Sequence, residues 1–197
     1  MGAKIEEIKC PGCGARVAIR QSECEWCHKP IIIATFQSVY EMPMPEVNKY
    51  AGTYKKALEE EPENQVLNKS VAMCYLKLKL YDKAIPAFEK AIEDNFDDAD
   101  LYLYAAVCLL KGKRPFMTTR QTVDKAIEYL NAALMIEEKG IFYCFRSYLK
   151  YDHYEMKRLR TTPTFMEDWK QGNALGVSEH DKQQLFEILG VERPNGF

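Results

Sequence analysis

The chain has 197 residues, 47% of them hydrophobic and 28% charged, with a net charge of −2. This composition excludes a disordered chain and fits one moderate domain plus a small one. No apolar run approaches the roughly 20 residues that span a bilayer. Met1–Glu6 carries no apolar signal core, and Glu6 occupies the position where a myristoylation motif requires Ser or Thr, so no membrane partner is expected.

The N-terminal region carries a metal-ligand pattern. Cys10-Pro11-Gly12-Cys13 and Cys24-Glu25-Trp26-Cys27 form Cys-x2-Cys-x10-Cys-x2-Cys. In a chain without a secretory signal this spacing points to metal rather than disulfides, and to a cytoplasmic setting with reduced thiols. Each two-residue gap turns both sulfurs to one side. Four thiolates at about 2.3 Å complete the shell of tetrahedral zinc. Cys10, Cys13, Cys24 and Cys27 are therefore expected to hold one structural Zn2+, leaving no position for water or substrate. His28, next to Cys27, is expected to be an exposed bystander.

Arg16–Arg20 alternates polar and apolar residues, which predicts a strand; Ile31–Phe36 predicts the returning one. Together these motifs resemble a rubredoxin-type zinc ribbon over residues 10 to about 36. Such a ribbon could be a folding nub that caps the following helices, a protein-docking knob, a nucleic-acid binder or a redox-sensitive thiolate site. Clustered cations, which a phosphate backbone requires, are missing from residues 1–40. Trp26 could stack on a base or cover the metal site. Met42-Pro43-Met44-Pro45 predicts an extended linker.

Helical periodicity follows. The predicted helices are Val47–Glu60, Gln65–Leu78, Asp82–Asp94, Ala99–Leu110, Val123–Glu137 and a long Ile141–Leu159, with Thr122 as a cap and Gly140 as a stop. Pro86 is placed near the start of its helix. Val71, Ala72 and Tyr75 recur 34 residues later as Ala105, Ala106 and Leu109. Ala84, Phe88 and Ala91 recur after 42 residues as Ala126, Leu130 and Ala133. An eight-residue insertion within Lys111–Arg120 explains the difference, and it reads as an extended basic loop. Cys74 and Cys108 share a repeat position, which predicts small core residues; Cys144 is placed with them.

The period, together with Tyr81-Asp82-Lys83-Ala84-Ile85, Phe88 and Lys90-Ala91, resembles the tetratricopeptide repeat. The resemblance covers roughly residues 46–160 and departs from the family pattern at Asn68, Tyr102, Phe96 and Glu138. It implies that the first helix of each repeat lines a partner groove. Carried over by position, that groove holds Val66, Lys69, Met73 and Lys77, then Asp100, Leu103, Val107 and Lys111. Phe142, Phe145 and Leu149 fit less directly. An apolar floor rimmed by lysines suits an extended peptide with hydrophobic anchors and some acidic character. Either core packing or the C-terminal tail could instead cover Met73, Leu103 and Val107.

Residues 41–100 carry a net −5 and residues 101–160 a net +5. Arg146, Lys150, Lys157, Arg158 and Arg160, with the insertion, mark the basic end, interleaved with tyrosines that usually pack. Thr164–Glu167 resembles a capping box, and Ser178 opens a last helix with apolar Leu185, Phe186, Ile188 and Leu189 that Gly190 ends. Gly172 and Gly176 are read as chain breaks. A repeat array needs such a cap.

The expected fold is mainly α: a tetratricopeptide-like solenoid of helical hairpins with a small N-terminal β zinc ribbon. The expected division is 1–40 ribbon, 41–46 linker, 47–160 helical array and 161–197 capping helices. No catalytic constellation or phosphate loop stands out, so a non-enzymatic, protein-binding adaptor is expected. The alternative is a nucleic-acid-associated factor that uses the ribbon and the basic 111–160 end.

Overall fold

The computed structural model describes residues 6–197; the signal and lipidation reading of Met1–Ile5 lies outside the described residues. The chain divides into two compact units, Met1–Asn95 and Phe96–Phe197, at a point inside the helical array.

In the first unit, β1 (Glu7–Lys9) pairs antiparallel with β2 (Arg16–Ala18), Ile8 opposite Val17, and both of these side chains are buried. The returning strand expected at 31–36 is absent; an isolated bridge joins Glu23 and Pro30. Side chains satisfy this backbone where a strand partner would have done so. Tyr50 Oη donates to the Pro30 carbonyl (2.9 Å) and Tyr54 Oη to that of Ile31 (2.7 Å). Ser70 Oγ accepts from the Ile33 amide at 3.3 Å and lies 3.2 Å from the Ile33 carbonyl oxygen. Ile31 and Ile33 are fully buried as a result.

A short α1 (Gln37–Tyr40) precedes α2 (Met44–Glu60). Helix α2 starts three residues earlier than periodicity suggested, because Pro45 occupies its first turn, where a missing amide is harmless. Tyr50, Ala51 and Tyr54 form its inner stripe. Asn64 caps α3 (Gln65–Lys77) by accepting from the Leu67 amide at 3.1 Å. Asn68 is no misfit: its amide donates to the Pro62 and Asn64 carbonyls (2.8 and 3.0 Å) and ties down the preceding turn. In α4 (Tyr81–Asp94), Ala84, Phe88 and Ala91 are fully buried, while Pro86 lies inside the helix on its exposed side.

In the second unit, α5 (Ala99–Leu110) packs on α6 (Arg120–Ile136), with Ala105, Ala106, Ala126, Leu130 and Ala133 completely buried. Thr119, not Thr122, caps α6 and accepts from the Thr122 amide at 3.2 Å. The insertion is no open loop, since Pro115–Met117 forms a 3-10 turn.

The expected long last helix has three parts: α7 (Gly140–Leu149), a π turn (Lys150–Tyr154) and a 3-10 turn (Glu155–Lys157). The extra residue of the π turn changes which side chains face inward, and Lys150, Asp152, His153 and Tyr154 are buried there. Gly140 starts α7 rather than stopping α6, and Gly172 lies inside α8 (Phe165–Ala174). The Thr164–Glu167 capping box is present, and Ser178–Asp181 forms another at the head of α9 (Glu179–Leu189), which ends at left-handed Gly190. Helices α8 and α9 both pack on α7, and Phe197 lies 4.8 Å from the Trp169 ring and 5.0 Å from that of Tyr151. No helix among the described residues is long and apolar enough to cross a membrane.

Candidate metal centre and partner-facing surfaces

The two Cys-x-x-Cys segments repeat one local geometry at a 14-residue offset. The Gly14 amide donates to the Cys10 carbonyl (2.9 Å), and the His28 amide to that of Cys24 (2.8 Å). The Cys10 amide donates to Ala15 (2.7 Å), and the Cys24 amide to Lys29 (2.9 Å). Each knuckle ends in a left-handed residue, Gly14 with φ of 83° and His28 with φ of 56°. Glycine takes that conformation freely; His28 takes it with some strain. His28 is exposed and stands outside the sulfur cluster, as its adjacency to Cys27 suggested.

All four sulfurs lie within 4.8 Å of one another, with Cys10–Cys27 at 3.6 Å and Cys13–Cys24 at 3.7 Å. A tetrahedron with bonds of about 2.3 Å has edges of about 3.8 Å. The cysteines fit one tetrahedral metal ion. The lining is tight as well: a Cβ on Gly12 would stand 3.0 Å from Cys27 Sγ and 2.9 Å from the Lys29 side chain.

The thiols differ in proton affinity. At Cys24 burial acts upward, but the Trp26 and Cys27 amides and the Cys10 and Cys13 thiols outweigh it and bring it down to about 7. At Cys27 the Lys29 amide acts downward, while burial and crowding by the other three thiols push it up to about 12. Four thiolates this close repel one another, and a divalent cation removes that repulsion.

Cys74, Cys108 and Cys144 are buried apart from this cluster. Burial raises all three thiols, Cys74 to about 12 and Cys144 to about 11, as core packing predicts.

The groove residues meet different fates. On α3, Val66 is exposed and Lys69 half-buried, but Met73 is buried. Segment 31–40 lies along that helix. Ser70 bonds Ile33, while Lys77 donates to the Tyr40 carbonyl and lies 4.9 Å from the Tyr40 ring centroid. Met73 falls between Ser70 and Lys77 on one helical face. On α5, Lys111 is exposed at the C-cap, in the left-handed conformation. Asp100, Leu103 and Val107 line a cleft of about 430 Å³ with Tyr104, Ile141, Val177 and Ile188, and α9 packs across α5. Its rim carries Asp100, Glu138 and Asp181 with a single cation, Lys139, so it is acidic rather than lysine-rimmed. Phe142, Phe145 and Leu149 are wholly core residues.

Sequence reasoning missed a buried ionic cluster. Asp168 accepts from Arg146 Nε (3.0 Å) and Nη2 (2.6 Å) and from Lys150 Nζ (2.7 Å). Two cations assigned to a basic end are thereby drawn inward onto one carboxylate. The sequence signal was Asp168 four residues after the Thr164 cap, facing two bases spaced i, i+4.

Residues 70–98 match the tetratricopeptide repeat model. The fold resembles the solved structure of MamA MSR-1, with a TM-score of 0.54 and 17% identity over 76% of this chain and 79% of that one. MamA AMB-1 gives 0.53 and 17%, covering 75% of this chain and 84% of that one. The helical fold is of the tetratricopeptide-repeat type. No curated protein matches the sequence.

Proposed function

We propose that this chain is a non-enzymatic adaptor: a ribbon folded around one structural zinc ion, fused to tetratricopeptide-type hairpins that hold a partner protein. Zinc is the ion of choice because an all-thiolate tetrahedral set is its characteristic structural site. Four protein ligands fill that shell, which supports a structural rather than a catalytic role. When bound, the ion supplies cross-linking of the two knuckles. The reduced thiols it requires suit a reducing compartment such as the cytoplasm.

The observation that carries the partner reading is the cleft on α5. Leu103 and Val107, assigned to the groove by repeat position, are themselves buried at the floor of a hollow whose accessible wall is half-buried Tyr104, Ile141, Val177 and Ile188. The occupant this suits is a short extended segment with an apolar anchor, flanked by basic rather than acidic residues to match the acidic rim. Lys111, at the C-cap of α5, is proposed as an outlying contact of this cleft, and Val66 and Lys69 on α3 as a separate contact surface of the first unit. Met73 and Lys77 could take part only after segment 31–40 moves.

The test is affinity capture from native lysate, divided into nuclease-treated and untreated halves, with wild type and Ile188→Glu side by side. A stoichiometric protein that survives nuclease and is lost with Ile188→Glu supports the adaptor. If everything captured disappears with nuclease, the reading fails in favour of a nucleic-acid partner.

A further inference from the structure

Two segments far apart in sequence are locked together in the second unit. Asp152 accepts from Arg114 Nε (3.1 Å) and from the Phe116 amide (2.8 Å). His153 Nδ1 lies 2.8 Å from the Pro115 carbonyl oxygen, and Lys157 Nζ lies 5.0 Å from the centroid of the Phe116 ring. Residues 111–120 are thereby held beside the turn that ends α7.

The side chains left at the surface are of two kinds. Met117 is 71% exposed, Met156 51%, Leu159 43% and Phe116 41%. The same two segments, 111–120 and 155–160, carry Lys111, Lys113, Lys157, Arg158 and Arg160, with Glu155 as the one acid inside them, while Arg114 is paired with Asp152 and Arg120 with Asp124 (3.5 Å). Arg146 and Lys150, drawn inward to Asp168, are not part of this surface.

The choice of occupant follows from what the patch lacks. A single-stranded nucleic acid wants flat aromatic faces on which bases stack. Here the tyrosines are engaged: Tyr154 is buried and donates to Asp124, Tyr148 is buried, and Tyr151 packs on Phe165 and Phe197. What remains is thioether and aliphatic tips and the one Phe116 ring, whose face Lys157 already occupies, set among Lys and Arg. That pairing suits a bilayer interface, where apolar tips enter the acyl boundary and cations meet anionic headgroups. The geometry points to peripheral docking of this face on an anionic lipid surface. Such docking needs no spanning segment, so the expectation of no membrane partner, drawn from the lack of an apolar run, does not reach it. It is independent of the adaptor reading.

The test is co-sedimentation of the full chain with vesicles of phosphatidylcholine alone and of phosphatidylcholine with phosphatidylserine, at low and high salt. Binding is expected only to the anionic vesicles, and to fall as salt rises. Arg158→Glu with Arg160→Glu should weaken it more than ~20-fold, since each surface cation contributes about five-fold. Met117→Asp with Leu159→Asp should weaken it too, while far-UV circular dichroism stays unchanged. Equal sedimentation with both vesicle types overturns the proposal, as does none with either. Binding that ignores the Met117 and Leu159 changes overturns it as well. Retention of a single-stranded RNA oligonucleotide without vesicle binding overturns it in favour of nucleic acid. The comparison between vesicle types needs no variant, so it stands even if a substitution disturbs folding.

Discussion

Gly140 and Gly172 are in backbone contact: a Cβ built on Gly140 would lie 2.6 Å from the Gly172 carbonyl oxygen, and one on Gly172 would lie 2.9 Å from that of Gly140 and 2.7 Å from Cys144 Sγ. The start of α7 and the middle of α8 approach closely because neither residue has a side chain. Gly140→Ala is expected to destabilise the chain by about 1–3 kcal/mol through overpacking. Gly52→Ala is the control. Gly52 is exposed inside α2 with open space around its Cβ position. There alanine should stabilise by about 0.5–1 kcal/mol through helix propensity. Urea denaturation of both variants measures the opposite signs.

Metal removal should act locally. A chelator, or Cys13→Ser, is expected to release one equivalent of zinc by elemental analysis and to lose the order of residues 6–36, because ion binding contributes to ribbon folding. Most helical circular dichroism should persist. Collapse of the whole helical signal would show that the ribbon's metal supports both units.

The two left-handed knuckle positions predict an asymmetry. Gly14→Val forces a β-branched residue into φ of 83° and should destabilise the ribbon by about 1–2 kcal/mol. His28→Gly removes strain at the equivalent position and should leave the ribbon as stable or slightly more so. Chelator concentration at half zinc release ranks the variants.

Asp168→Asn would leave Arg146 and Lys150 buried beside a neutral partner. Removing one member of such a buried cluster costs about 3–5 kcal/mol. Thermal unfolding should show a correspondingly large fall. Full retention of stability would mean that water reaches the cluster.

Alkaline pH should unfold the chain cooperatively. Burial raises the hydroxyls of Tyr50, Tyr54, Tyr104 and Tyr148 above their usual value near 10. Their folded forms hold protons that the unfolded chain releases, so their contribution is complete below pH about 10 and is lost as pH rises above it. Lys150 acts oppositely, since burial lowers its proton affinity despite Asp168, but it is one group against four. Tyrosinate absorbance and loss of helical signal should rise together. Tyrosinate formation well before unfolding would contradict the burial.

Much of this was legible because it rests on spacing. Two knuckles and a 34-residue period identify the cysteine cluster, the hairpins and the small residues between their helices. What periodicity could not show is which partner satisfies a backbone group. Ile31–Phe36 looks like a strand by composition, yet its Ile31 carbonyl accepts from Tyr54 and its Ile33 amide donates to Ser70, both residues on helices, as Tyr50 donates to the preceding Pro30 carbonyl. The π turn was invisible for the same reason, since Asp152 and His153 are drawn inward by the Arg114–Phe116 segment. On α3 the repeat pattern marks the groove face and not what lies on it: segment 31–40, rather than the C-terminal tail, runs along the face that holds Met73. The glycines 140 and 172 looked like breaks; only the approach of two helices shows them to be contacts.

The clasp of Ser70 and Lys77 on Ile33 and Tyr40 bears on how such a chain could be assembled over evolutionary time. The backbone leaving the ribbon is the cover of the first hairpin. A fragment cut at Met44 would inherit a bare strip on α3 around Met73, prone to self-association. Gene shuffling that treats ribbon and repeats as exchangeable cassettes should therefore fail at that seam. The inheritable piece is the ribbon together with the hairpin it covers, and a transplant onto a foreign repeat array should succeed only when residues 31–42 and α3 travel as a pair.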